Sequence, residues 1–99
     1  MTTYICTVSN RFPENYQIGV QARRWGVEER YKKRIEPVKP GDLLVFLVGG
    51  IFRTAHKIES FAFEEHDLLW PEKDGSTFPH RIKIGRTIAE SNKVAKRFG

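Results

Sequence analysis

Six consecutive apolar residues, Leu43 to Val48 (LLVFLV), stand between two sharp turn signals, Pro40-Gly41 and Gly49-Gly50. Proline followed by glycine specifies a type II turn: proline pre-sets the first central residue and glycine supplies the positive φ of the second. Two glycines between apolar segments specify a tight hairpin. An apolar run without alternation reads as a strand covered on both faces, or as a strand of a barrel. The chain returns from Gly49-Gly50 as a longer strand of mixed polarity, Ile51 to Phe61. A hairpin with a buried first strand is therefore the framework onto which the rest must fit.

The flanking segments supply more short elements. Thr3 to Val8 (TYICTV) is β-branched and aromatic and reads as a strand, ended by Ser9-Asn10. Pro13 and Glu14 suit the first turn of a helix over PENYQIGV, which Gly19 is expected to keep short. EERYKKRIE predicts a helical turn or two before Pro37. Glu64 to Thr77 reads as loop, and Phe78 to Gly85 as a strand alternating basic and apolar residues. Ile88, Ala89, Val94 and Phe98 form a sparse helical face, so residues 88–99 are expected to be a C-terminal helix or a lead into a further domain. No repeat or low-complexity tract interrupts the 99 residues, and the length fits one domain over 1–99. Short strands with helical pieces around them predict an α+β fold, a small barrel or curled sheet.

Composition narrows the function classes. The net charge of +5 favours polyanionic partners, nucleic acid before anionic membrane. The single cysteine, Cys6, can form no intramolecular disulfide and reads as a small buried hydrophobe. No apolar stretch approaches the roughly 20 residues of a membrane-spanning helix. A soluble protein of a reducing compartment, cytoplasmic and without membrane partners, is the expectation. His56, His66 and His80 are scattered at no ligand spacing, and Glu64-Glu65-His66-Asp67 reads as a solvated loop face. No Walker loop or dinucleotide fingerprint occurs. A binding module without cofactor or metal is therefore expected rather than an enzyme. The enzyme alternative would draw a base from His56, Lys57 or Lys83.

The aromatic residues point to what such a module holds. Trp25 stands in a charged stretch, RRWGVEER, and Trp70 precedes a proline in a polar loop. Phe12, Tyr16, Phe52 and Phe78 also lie beside turns. Each ring taken singly reads best as a cap on a small core. Together with glycine after Trp25 and a Ser9-Asn10 pair at a strand end, they fit a nucleobase pocket: rings stack on base faces, and a hydroxyl and an amide read base edges. Arg11, Arg23, Arg24, Lys32, Lys33 and Arg34 would hold phosphates around it.

The segment from Tyr4 to Val48, with its strand ending in Ser-Asn, its W-G-V step, its basic run and its V-K-P-G-D turn, resembles the opening of an EVE domain. WPEKDGSTFPHRIKI, with W-P and F-P-x-R, extends the resemblance to about Ile84. EVE domains are a branch of the PUA-like superfamily related to YTH domains. The resemblance implies a PUA-like curled β-barrel with flanking short helices. It implies recognition of a modified base, methylated above all, flipped into an aromatic cage. It favours DNA over RNA and a fused or neighbouring restriction effector, with modified RNA as the alternative. Carried over by position, Ser9 and Asn10 would contact the base edge, Trp25 would stack, and Gly26 and Val27 would line the floor. Phe52, Trp70 and Phe78 would be walls. The chain departs from the pattern at Gly49-Gly50, where such domains commonly carry a longer insertion.

Overall fold

The computed structural model describes residues 1–9, 13–70 and 78–94. Strand β1 (Thr3–Val8) is followed by helix α1 (Pro13–Ala22) and strand β2 (Arg24–Val27). A 3-10 turn (Glu29–Tyr31) leads into the one-turn helix α2 (Lys32–Ile35). Strands β3 (Leu43–Val48), β4 (Ile51–Ile58), β5 (Phe63–Glu64) and β6 (His80–Glu90) complete the chain. The sheet order is β1-β3-β4-β6-β2, with β5 also on β6. Among the described residues, only the β1–β3 pair is parallel.

The two turns on either side of β3 behave as their residues require. Gly41 has φ 95° and the Asp42 N–H donates to the Lys39 carbonyl, which closes the Pro-Gly turn. Gly49 and Gly50 both have positive φ, 57° and 81°, as a type I′ hairpin demands. The Asp42 carboxylate accepts the N–H groups of Thr2 and Lys39, both at 3.0 Å. Those bonds hold its carboxyl below the ordinary 3.8 and pin the start of β1 to the start of β3.

Register shifts at Val45/Leu47 and on both sides of His56 bend the central strands. The sheet curls around Phe46, which is fully buried among Val8, Ile35, Val38, Leu44, Ile58, Ile82 and Ile84. His56 is also fully buried. Its Nδ1–H donates to the Gly85 carbonyl, its other ring nitrogen bonds the Thr54 hydroxyl, and Thr54 bonds Tyr16 on α1. Both its ring nitrogens are thus engaged inside the core, whereas Lys57 and Lys83 lie on the exposed surface.

Two expectations change. The C-terminal helix expected from Ile88 onward is not found among the described residues: β6 continues through Glu90, and Val94 bridges to Ile51. β4 supplies the reason, since Thr54 and Ala55 pair with Glu90 and Ala89. Gly19 does not shorten α1, which runs to Ala22. A Cβ at Gly19 would stand 2.7 Å from the Trp25 ring and 2.9 Å from the Arg24 carbonyl, so glycine lets the helix lie close against β2. The resulting architecture is the expected α+β one, a curled half-barrel with short flanking helices. No helix among the described residues is long and apolar enough to cross a membrane.

Candidate nucleobase site

β1 and β2 are the two ends of the strand order, so the half-barrel has a seam between them. An open groove of about 540 Å³ occupies that seam, lined by Tyr4 to Thr7 of β1, Trp25 to Val27 of β2, and Tyr31, Arg34 and Ile35. Next to it lies a smaller cavity of about 150 Å³, lined by Thr7, Val8, Ser9, Asn15, Trp25, Gly26, Trp70 and Phe78. An apolar cavity of about that volume accepts one benzene-sized ring. The two spaces share Thr7, Trp25, Gly26 and Phe78.

Three rings wall the smaller cavity. Trp25 meets Trp70 edge-on at 5.8 Å between centroids, and Trp70 meets Phe78 edge-on at 5.7 Å. Trp25 also packs edge-on against Phe46, at 4.9 Å, so the same ring belongs to the core and to the wall. Burial pushes the Cys6 thiol pKa up to about 12, and the Trp25 side chain works against that rise. Trp70 is buried and donates its indole N–H to the Asn15 carbonyl at 3.0 Å.

Gly26 plays a part other than the one expected. It does line the cavity, but the room left by its missing side chain is taken by the wall. A Cβ there would stand 2.8 Å from the Phe78 carbonyl and 3.1 Å from both Trp70 and Arg81. Glycine at 26 lets the wall close rather than keeping a channel open to the backbone.

The walls rest on a buried charge. Arg81, opposite Gly26 on β6, is 1% exposed. Its Nε donates to the Phe78 carbonyl at 2.9 Å, and its guanidinium carbon lies 5.1 Å from the Trp70 centroid. It also pairs with Glu65, at 2.7 Å, and with Asp67, and donates to the Asp67 carbonyl. Partial desolvation works to raise the Asp67 pKa, but the Arg81 bond and charge outweigh it and hold the carboxyl low. Arg24 joins the same cluster through Glu65, 2.7 Å away. Glu65 and Asp67 are therefore not a merely solvated face, and Arg24 is held by carboxylates rather than standing free for a phosphate.

The sequence-predicted residues thus divide. Ser9, Trp25, Gly26, Trp70 and Phe78 come together at the cavity, from the residue after β1, from β2 and from the segment between β5 and β6. Val27 faces the neighbouring groove and packs on the core. Phe52 is elsewhere: with its N–H bonded to the Lys93 carbonyl, it lines a separate cavity with Thr54, Ala89 and Ser91. Arg23 is exposed in the turn between α1 and β2 with φ 55°. Lys32, Lys33 and Arg34 are exposed on α2, where Arg34 stacks over Tyr31 at 4.6 Å on the rim of the groove. Asn10 and Arg11 lie outside the described residues.

One residue at the cavity was missed. The side-chain oxygen of Asn15 is buried at the cavity wall and has no hydrogen-bond partner. A buried acceptor without a donor is costly, and such an atom at a cavity is explained by a ligand or water that completes it. The sequence carried no signal for it, because α1 also holds the polar Glu14, Gln17 and Gln21.

No family model matches the chain. A UPF0310 protein of Pyrococcus horikoshii is 30% identical over 97 residues, and one of Pyrococcus abyssi is 30% identical over 95. Each match takes in 85% of this chain and 65% of the relative, so the chain spans just under two thirds of their length. Among solved structures, the YTH domain of Zygosaccharomyces rouxii MRB1 in complex with N6-methyladenosine RNA superposes with a TM-score of 0.66 at 18% identity, over 93% of this chain and 61% of that one. The YTH domain-containing protein Mmi1 in complex with RNA gives 0.65 at 12% identity, over 95% and 60%. The fold is that of the YTH-like domains, as the PUA-like expectation required.

Proposed function

We propose that this domain binds RNA and takes one modified base, methylated above all, into the cavity walled by Trp25, Trp70 and Phe78. The observation that carries the reading is the unpaired Asn15 oxygen set among those rings: apolar walls for a base face and one acceptor for an exocyclic amino group or ring N–H. Ser9 adds a hydroxyl at the same wall. Similarity of fold to domains named with bound RNA, one of them with N6-methyladenosine, supports RNA over the DNA and restriction setting expected from the EVE resemblance. The reading is of a binding module and not an enzyme.

Extruding a base costs a few kcal/mol of stacking and pairing, least for a single strand. Stacking returns about 1–3 kcal/mol per base. A buried methyl adds about 0.8 kcal/mol by transfer alone, roughly fourfold, and pockets fitted to one methylene reach about 1–3 kcal/mol, so discrimination of about 4–100-fold against the unmethylated base is expected. Exposed Arg23, Lys32, Lys33 and Arg34 supply salt-sensitive attraction to the backbone. The test is a titration of short single-stranded RNA and DNA oligonucleotides, each with one modified base and an unmodified twin. Tighter binding of a modified RNA than of its twin is expected; equal binding across the whole panel refutes the reading.

A further inference from the structure

We infer that the cavity selects uncharged modified bases and rejects cationic ones, and that Arg81 sets this preference. The inference rests on the base-cavity reading and names the charge class of its ligand. Aromatic cages attract cations through the negative faces of their rings, so a ring-walled cavity by itself would favour a positively charged methylated base. This one is built differently. Among the described residues, no carboxylate lines it. A positive charge stands directly behind its wall: the Arg81 guanidinium lies 5.1 Å from the Trp70 centroid and is itself absent from the lining.

The counter-charges do not cancel that field evenly. The Arg81 side chain is 2% exposed, whereas those of Glu65 and Asp67 are 32% and 54% exposed. Water screens the carboxylates more than the guanidinium. Arg24, bonded to the same Glu65, adds a second positive charge to the cluster. A cation entering the cavity therefore meets a ring whose quadrupole already serves a guanidinium, with that guanidinium close behind it. A neutral base loses nothing by this, and it gains from a wall that Arg81 holds rigid through the Phe78 carbonyl.

The experiment compares RNA pentamers carrying N6-methyladenosine (neutral) or 1-methyladenosine (cationic), and N4-methylcytidine (neutral) or 3-methylcytidine (cationic). Binding to the unsubstituted domain, Arg81→Met and Asp67→Asn is measured at one fixed salt concentration. The methyl positions alter the base edge as well as the charge, but that difference is common to all three proteins and cancels in the ratio of ratios. Arg81→Met is expected to lower the neutral-over-cationic preference by roughly two- to fivefold, the scale of an exposed cation–π contact. Asp67→Asn, which keeps an acceptor for Arg81 and removes a counter-charge from a half-exposed position, is expected to raise it. Should Arg81→Met fail to fold, the rise in Asp67→Asn decides alone. Preferences unchanged in the folded variants overturn the inference while methyl-selective binding stands. No preference for any methylated pentamer over its unmethylated twin overturns the base-cavity reading and this inference together.

Discussion

Replacing Gly26 with alanine adds one methyl group at the point where the cavity wall is tightest. The new Cβ would lie 2.8 Å from the Phe78 carbonyl oxygen, 3.1 Å from Trp70 Cζ3 and 3.1 Å from Arg81 Cγ. Relief is hard to find. The carbonyl is backbone and accepts from Arg81, Trp70 is tied to the Asn15 carbonyl, and Arg81 is tied to Glu65 and Asp67. Overpacking of this kind costs about 1–3 kcal/mol. For a domain of about this size, each kcal/mol lowers the midpoint of thermal unfolding by about 4–8 °C. The expected outcome is a loss of roughly 4–24 °C by circular dichroism, accompanied by weaker binding of the modified oligonucleotide, because Trp70 and Phe78 must part to admit the methyl. A midpoint within about 2 °C of the parent, with binding unchanged, refutes the claim that glycine at 26 exists to let the wall close.

Trp25→Ala should cost about 3–5 kcal/mol in urea unfolding, a large share of the roughly 5–15 kcal/mol available to a domain, because the ring packs on Phe46 and Gly19 as well as on the cavity. A loss below about 1 kcal/mol would make the ring a displayed residue only. Cys6, with its thiol pushed up to about 12, should resist a thiol reagent at pH 8 in the folded protein and react once the chain is unfolded; prompt labelling of the native state contradicts the raised pKa. Asp42 has a folded pKa below its ordinary 3.8, so its contribution to stability is present above about pH 4 and is lost as the pH falls through the folded value. Asp42→Asn should flatten that acid limb, and an unchanged acid limb refutes the assignment.

Much of the fold was legible because its decisive signals are local. Thr3–Val8 and Leu43–Val48 occupy the ranges their β-branched and apolar runs predict, and both glycine turns fall where the sequence places them. The end of β6 was not legible. Ile88, Ala89 and Val94 have helical spacing, and only pairing with β4, more than 30 residues earlier, makes Ile88–Glu90 a strand. The same limit governs the site. Trp25, Trp70 and Phe78 were identifiable as rings out of place in polar surroundings. That Arg24 would be claimed by Glu65, 41 residues away, follows only from the curl that brings β2 to β6. Phe52 was grouped with the walls because it too follows a turn, but the hairpin carries it to the C-terminal segment instead. Asn15 could not be singled out among the polar residues of α1, which include Glu14, Gln17 and Gln21. It became visible when its oxygen proved to be buried, unpaired and beside two indoles.

The most direct measurement follows the two indole N–H resonances in a 15N correlation spectrum while a methylated nucleoside is added. The Trp25 indole packs on Phe46 and lines the cavity, and the Trp70 indole donates to the Asn15 carbonyl, so each reports on one wall. The account predicts that both move saturably with N6-methyladenosine, and less with adenosine at equal concentration. Movement confined to the amides of the basic α2 segment, with both indoles unmoved at saturation, would contradict it.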